Sequence, residues 1–363
     1  MEDLLINGTL NNITNNTNST EPEVLLFITI FSIYLPALIG VFGIVGNALS
    51  FIILLHERHT STFYLLRCLA VSDTLFLLCA MQIQVTYSII TNYYDDDLAY
   101  DLAKKVNIPF IWPIAMAAQM SSVWLTVFIS IERYIAVCHP FKAKYICTIK
   151  TARSTCVGIM LGCLLYNLPR FFEYLQINDD GHVEYTFHNK SEVGDNMVYR
   201  YMYCAILYFL LLFCVPLMIL LVLNIRIVYI LNREKHLSPA MTISQKKEHK
   251  VTKISLCIVL VFFLCGTLSP VTNFQDAIAP ESFQENNSDE LAILTLVSNL
   301  LVFVNSSVNF LVYCWFGGRF RARLRKMFQC SKHGYTKAYS FSRRGTNGQT
   351  YIMSSVCEGH HDS

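Results

Sequence analysis

Glu132, Arg133 and Tyr134 stand in a row near the end of an apolar run that starts near Ile111 and closes on His139-Pro140. A charged side chain at the edge of a bilayer is costly unless it snorkels to the interface or meets an opposite charge, and an adjacent carboxylate supplies that charge. Two readings follow: Arg133 is a plain helix-end anchor, or it is paired with Glu132. Asp73 is a second acid with chemical potential, alone in the middle of another apolar stretch. It must be neutralised, hydrogen-bonded or paired with a cation. Asn47, Ser122, Asn305, Ser306 and Asn309 are the polar residues at matching depth in other stretches. Oxygen ligands of this kind suit either a hard cation or a hydrated hydrogen-bond network. Catalytic constellations are missing: there is no His-Glu-x-x-His, no phosphate-binding loop and no paired metal-ligand spacing.

The elements that must position these residues are membrane helices. Hydrophobic residues make up 53% of the 363 and charged ones 15%, with a mean hydropathy of +0.40, too apolar for a soluble surface. A net charge of +2 gives no bulk attraction to nucleic acid. Seven apolar stretches, at about 24–55, 62–91, 106–138, 151–170, 199–231, 251–275 and 291–315, are each long enough to cross a bilayer. Each is predicted as a helix, because an isolated strand leaves its backbone polar groups unsatisfied in lipid. With the N-terminus outside, 23 of the 28 Lys and Arg fall on the cytoplasmic side, leaving Lys104, Lys105, Arg170, Lys190 and Arg200 outside. That asymmetry predicts N-out, C-in and an odd number of spans.

Residues 1–23 hold no Lys or Arg and no apolar core, so they read as a flexible outer tail rather than a secretory signal. They carry four Asn-x-Ser/Thr glycosylation signals, at Asn7, Asn12, Asn15 and Asn18; Asn189 and Asn286 add two in the outer loops. Asn305 also fits but lies in the seventh stretch, out of reach of a glycosyl transferase. None of the 13 cysteines falls in the outer tail or outer loops, so no disulfide can join those loops.

The stretch SIERYIAVCHP resembles the Glu/Asp-Arg-Tyr motif of rhodopsin-like (class A) G-protein-coupled receptors, and other matches follow in order. They are Gly46-Asn47, Leu69-Ala70-Val71-Ser72-Asp73, Pro216 and Asn309-Phe310-Leu311-Val312-Tyr313. The resemblance covers about residues 24–330 and implies an all-α membrane protein, a seven-transmembrane helix bundle with a short amphipathic eighth helix. It implies that Arg133, flanked by Glu132 and Tyr134, is held by its neighbouring acid at rest. Arg133 is then freed as the sixth helix swings outward to admit a heterotrimeric G protein, with Asn309 and Tyr313 as further switch residues. It also implies that Asp73, Ser122, Asn305 and Asn309 form an internal sodium site, so the one cofactor expected is an allosteric sodium ion. The chain departs from the family in three places: Phe310 stands where a proline is usual, Leu268 where a tryptophan is usual, and Ile108 near the usual cysteine of the third helix. The inner end of the sixth helix offers Lys250 and Lys253 rather than an acidic second lock.

The segment LYNLPRFFEY at 165–174, NSSVNFLVY at 305–313 and FSRRGTNGQTYIM in the tail are similar to invertebrate FMRFamide-type neuropeptide receptors. The competing reading of NLPRFF is an interfacial aromatic belt with a snorkelling Arg170. In this orientation 19 of the 26 acids lie outside; most read as a solvated surface that follows the charge asymmetry, and the competing reading is an acidic mouth that attracts a cationic peptide. A peptide ending in Arg-Phe-amide would set its guanidinium on a carboxylate, with Glu173 and Asp276 the candidates. Deeper ligand contacts are expected from Gln84 and Tyr87, from Trp112, Met116 and Gln119 on one face of the third helix, and from Asn273. For Met116 the alternative is core packing.

After Tyr313, FGGRFRARLRKMFQC alternates basic and apolar residues on a helix expected along the inner leaflet, with Cys330 suited to palmitoylation. Hydroxyls beyond it suit receptor kinases and arrestin recruitment. The expected layout is a glycosylated, disordered extracellular N-terminus at 1–23, the bundle at 24–315, an amphipathic surface helix at 316–330 and a disordered cytoplasmic tail at 331–363. The predicted function is a plasma-membrane receptor for an extracellular peptide, with no enzyme activity. Alternatives are a receptor for another peptide or a small cationic ligand, or a transporter or channel. The transporter reading lacks repeated broken helices and a second deep acid.

Overall fold

The computed structural model describes residues 26–27, 29–56, 60–86, 88–90, 105–177, 183–185, 191–237, 243–278, 288–332, 340–344 and 350–354. The glycosylation signals at Asn7, Asn12, Asn15, Asn18, Asn189 and Asn286 lie outside them, as does Tyr87. Among the described residues six helices are long and apolar enough to cross a membrane: Ile30–Leu55, Ser61–Ile90, Asn107–Cys138, Ile149–Phe172, Tyr199–Arg233 and Thr252–Thr272. A seventh crossing is made by Ile293–Ser307 and Asn309–Trp315, bent by 45° at Val308. These are the first to seventh helices, and each falls on a stretch expected from the sequence. Below, the end of the bundle at Glu132-Arg133 is the basic end and the opposite one the acidic end.

Local chemistry sets where the helices begin and stop. Thr60 and Thr148 are extended ahead of the second and fourth helices, and the Thr148 hydroxyl accepts from the Thr151 N–H at 3.2 Å. His139 leaves helical geometry because Pro140 follows it, and Pro140 opens a short helix to Ile146. The acidic half of the bundle departs from ideal α geometry. Ile30–Tyr34, Gln82–Thr86, Asn107–Ile111, Tyr199–Leu207 and Leu210–Cys214 are π-helical, wider turns that shift which side chains face inward.

The third helix is the shared wall. On one side Met116, Met120, Val123 and Val127 pack with Cys163 of the fourth helix, Tyr208, Leu212 and Leu220 of the fifth and Phe262 of the sixth. On its other side Ala115 and Ala118 meet Phe76, Leu77, Cys79 and Ile83 of the second helix and Val302 and Phe303 of the seventh. Outward-facing Leu38, Leu165 and Ile225 are about two-thirds exposed or more. That is the inverted pattern of a surface solvated by lipid chains.

Two short strands, β1 (Leu175–Ile177) and β2 (Val183–Tyr185), pair antiparallel after the fourth helix. Residues 318–363 form a separate unit. It holds the helix Gly318–Lys332, in which Phe320, Leu324 and Met327 recur at intervals of four and three among basic residues. Strands β3 (Ser340–Arg344) and β4 (Thr350–Ser354) also pair antiparallel, in a tail where the sequence reading placed no element.

Small residues set how closely the first helix approaches its neighbours. A Cβ on Gly43 would lie 2.1 Å from the Ser307 hydroxyl and 2.7 Å from Leu77 Cδ1, whereas one on Gly158 would meet nothing within 4 Å. Overpacking of this kind costs about 1–3 kcal/mol. Gly43→Val is therefore expected to lower the thermal midpoint of the detergent-solubilised protein, and Gly158→Ala to leave it in place. Equal midpoints for the two variants would mean that the first helix is not packed as described.

Candidate functional site

At the basic end, the last turns of the third helix bring Glu132 and Arg133 inside the bundle, 4% and 5% exposed. Arg133 Nη2 lies 3.6 Å from Glu132 Oε2. The second helix completes the cluster, because Thr62 near its start donates its hydroxyl to Glu132 Oε2 at 2.7 Å and accepts from Arg133 Nη2. Neighbouring Ser61 donates to the Cys147 carbonyl at 3.0 Å, and the Cys147 thiol reaches the Glu132 carbonyl at 3.9 Å. The loop after the third helix is thus tied to the same spot. Tyr134 sits half-buried with its ring edge-on to His139, centroids 5.7 Å apart. On the sixth helix Lys253 is exposed and the Lys250 side chain lies outside the description, while Thr252 is buried. Behind the pair, Phe128, Ile131, Ile135, Ile146 and Cys147 help to line a cavity of about 30 Å³, room for one water. Thr62 was missed in the sequence reading. The signal was a hydroxyl pair, Ser61-Thr62, opening an apolar stretch at the depth of Glu132.

Midway through the bundle, Asp73 is fully buried. Its Oδ1 accepts from the Ser122 hydroxyl at 2.6 Å and its Oδ2 from Asn309 Nδ2 at 2.7 Å. Helices two, three and seven are therefore joined through one carboxylate. Asn305 is half-buried and stands apart from this pair of bonds. Asn47 donates to the Ser306 carbonyl at 2.9 Å, and Ser307 donates to the Ile39 carbonyl at 3.1 Å, so the first helix grips the seventh at its bend. Tyr313 is buried one turn beyond Asn309.

Near the acidic end, the fourth helix tightens into the turn Leu168–Phe172, with Pro169 near its start, and Arg170 points inward. Its guanidinium carbon lies 5.7 Å from the Tyr203 ring and 5.5 Å from the Tyr208 ring, and Nη1 is 4.0 Å from Glu173 Oε1. Glu173 Oε1 also accepts from the Tyr199 hydroxyl at 2.6 Å and the Cys204 thiol at 3.8 Å. Tyr166 and Tyr203 exchange hydroxyl-to-carbonyl bonds, the first at 3.2 Å. Glu173, expected to face a ligand in the mouth, is instead a buried counterion; a buried guanidinium is strongly unfavourable without one. Arg170 does not snorkel. Ser191 holds the returning loop, donating its N–H to the Glu173 carbonyl at 2.8 Å and its hydroxyl to the Phe172 carbonyl at 2.9 Å.

Of the deeper candidates, Met116 belongs to the core and its sulfur accepts from the Tyr208 hydroxyl at 3.5 Å. Trp112 packs, partly buried, against both core clusters, and Gln119 is half-buried below it. Gln84 is half-buried with its Nε2 enclosed. The side chains of Asn273, Asp276 and Cys330 lie outside the described residues, although the helices Leu268–Ile278 and Gly318–Lys332 carry their backbones. Among the described residues no three His, Cys, Asp or Glu side chains gather as a metal centre.

The sequence model described as 7 transmembrane receptor (rhodopsin family) matches residues 46–313. The chain is similar to an FMRFamide receptor of Drosophila melanogaster, 31% identical over 291 residues that cover 78% of this chain and 51% of the relative. It is also similar to an FMRFamide peptide receptor of Caenorhabditis elegans, 30% identical over 285 residues, 78% of this chain and 65% of the relative. The thyrotropin-releasing hormone receptor of Mus musculus is 26% identical over 373 residues, 93% of this chain and 88% of the relative. The matched stretch spans about half of the Drosophila receptor's length and under two-thirds of the Caenorhabditis one's. With the Glu-Arg-Tyr cluster, the Asp73 centre and the bend of the seventh helix all inside the matched residues, the chain belongs to the rhodopsin family of seven-transmembrane receptors.

Proposed function

We propose that this chain is a plasma-membrane receptor, N-terminus outside, for an extracellular neuropeptide with an amidated C-terminus, and that it signals through heterotrimeric G proteins. The closed Thr62–Glu132–Arg133 cluster carries the reading. It is a buried cation at the basic end in contact with an acid and a hydroxyl, the kind of bistable contact that an outside ligand can tip by binding one helix arrangement better than another. The peptide class is supported by two relatives named for FMRFamide. Because the Glu173 carboxylate is committed to Arg170 and Tyr199, Asp276 is the better partner for a ligand guanidinium. Asp73 has two neutral donors, and with Ser122 it offers the oxygen chemistry that a sodium ion favours. Asp73, Ser122, Asn305 and Asn309 are the residues that would hold such an ion, whose charge would neutralise the buried carboxylate. Glycosylation at the outer signals, palmitoylation at Cys330, and receptor-kinase and arrestin contacts with the tail complete the proposal.

Purified receptor in liposomes, given amidated neuropeptides and a set of G proteins, is expected to accelerate guanine-nucleotide exchange without passing ions. Ion flux with no exchange would instead mark a channel or transporter. Arg133→Ala should abolish exchange while agonist affinity changes less than about threefold, because the arginine is remote from the acidic mouth; full signalling by this variant would refute the switch. Thr62→Val keeps the shape and deletes both hydroxyl contacts. Hydrogen bonds to charged groups are worth about 1.5–3 kcal/mol, so agonist-free exchange should rise by about tenfold or more. An unaltered basal rate would show that the hydroxyl does not restrain Arg133.

A further inference from the structure

Buried side-chain amides normally have partners, and among the described residues Asn107 and Gln84 have enclosed amide nitrogens without one. Asn107 is 1% exposed, with both Nδ2 and Oδ1 enclosed and unpartnered. Gln84 is half-buried, and its Nε2 is enclosed and unpartnered as well. Both residues stand in π turns, Gln84 within Gln82–Thr86 of the second helix and Asn107 at the head of Asn107–Ile111 of the third. The two turns pack against each other. In the third helix the Trp112 N–H bonds the Asn107 carbonyl, five residues back. In an uninterrupted α-helix Asn107 would be rotated roughly 140° from Trp112, whereas the wider turn carries it back toward the face of Trp112, Met116 and Gln119. The departure from α geometry therefore aims an otherwise misdirected amide along the stripe already expected to meet a ligand.

The chemistry of the pair selects its occupant. The pair's enclosed, unpartnered atoms are N–H donors from both residues and one carbonyl acceptor, Asn107 Oδ1. A guanidinium or ammonium would serve the acceptor alone. A carboxylate would serve the donors alone, and would set its charge against Asn107 Oδ1 in a desolvated place. A primary carboxamide serves all three, its oxygen accepting from Gln84 and Asn107 and its NH2 donating to Asn107, and it adds no charge. We propose that Gln84 and Asn107 form the subsite for the C-terminal carboxamide of the peptide agonist, reached past the half-exposed Gln84, and that this pair rejects the same peptide ending in a free acid. The subsite rests on the amidated-peptide reading above.

The test compares matched peptides, Phe-Met-Arg-Phe-amide and a panel of other amidated neuropeptides, each beside its free acid, on cells with surface expression normalised by an epitope tag. A site built to pair with the amide should favour it over the acid by about 100-fold or more in the wild-type chain. Asn107→Leu and Gln84→Leu should each shrink that ratio to within about tenfold, by weakening the amide while moving the acid less than about threefold. Gln84→Leu, at a partly exposed position, serves alone if Asn107→Leu fails to reach the surface. A ratio unmoved in the variants, or equal losses for amide and acid, would mean that the pair holds water only, and the subsite falls. If no amidated peptide activates the wild-type chain, the receptor reading falls with it; activation with an unmoved ratio removes the subsite alone.

Discussion

Lipid offers a side chain no hydrogen bonds, so every polar group inside this bundle has to be matched by another helix or by something that enters from outside. The third helix shows how that constraint organises the fold. Along its length it presents Ser122 to Asp73 of the second helix, and Glu132 with Arg133 to Thr62 of the same helix. Each match ties two spans at a fixed register. A slip of either helix by one residue would leave a buried carboxylate or guanidinium uncompensated, at a cost of about 3–5 kcal/mol by the measure of broken buried pairs. Apolar packing on both flanks supplies adhesion, but these polar matches specify which arrangement is adopted.

The same constraint explains how the acidic end manages without a cysteine near Ile108. No cysteine lies between residues 171 and 198, so the loop that follows the fourth helix cannot be stapled covalently. Instead, Ser191 makes two hydrogen bonds back to Phe172 and Glu173, and Glu173 is held by Tyr199 and Arg170. A disulfide typically contributes about 2–4 kcal/mol. Net hydrogen bonds give about 0.5–1.5 kcal/mol each, rather more when one partner is charged, so three or four of them reach a similar total. The difference is cooperativity: a covalent staple holds whatever surrounds it, while this clasp holds only as long as Arg170 stays between Tyr203 and Tyr208.

The spans were legible because hydropathy over some twenty residues averages away local detail. Glu132, Arg133 and Asp73 were legible because isolated charges in apolar runs have few explanations. Thr62 and Asn107 were not, for different reasons. A threonine at a helix start reads as a cap or a surface residue, and nothing local tells that it bridges an acid and a base seventy residues away. Asn107 was hidden because a uniform period of 3.6 puts it on the wrong face, and π turns leave no dependable mark in sequence. Glu173 was misjudged for a related reason: counting acids on the outer side locates the charge but not the guanidinium three residues earlier that turns inward to claim it.

Phe310 raises the question of how the seventh helix bends without the proline that the family usually has there. A kink needs a cause, and the first helix supplies one: Asn47 donates to the Ser306 carbonyl and competes with the helix's own ladder two residues before the break at Val308. Below the bend, Asn309 is drawn toward Asp73. Gly46 lets the first helix close on the turn, since a Cβ there would lie 2.9 Å from Phe310 Cβ, and Phe42 meets the Phe310 ring edge-on with centroids 6.2 Å apart. The 45° angle is thus imposed by neighbours rather than by a ring locked into the backbone. Proline would hold such a bend in any state of the bundle, because the missing N–H and the clash are covalent features. A bend made by Asn47, Asp73 and a glycine notch depends on where the first and second helices stand. The seventh helix is therefore free to straighten when they move, and Tyr313, one turn beyond Asn309, would be carried with it.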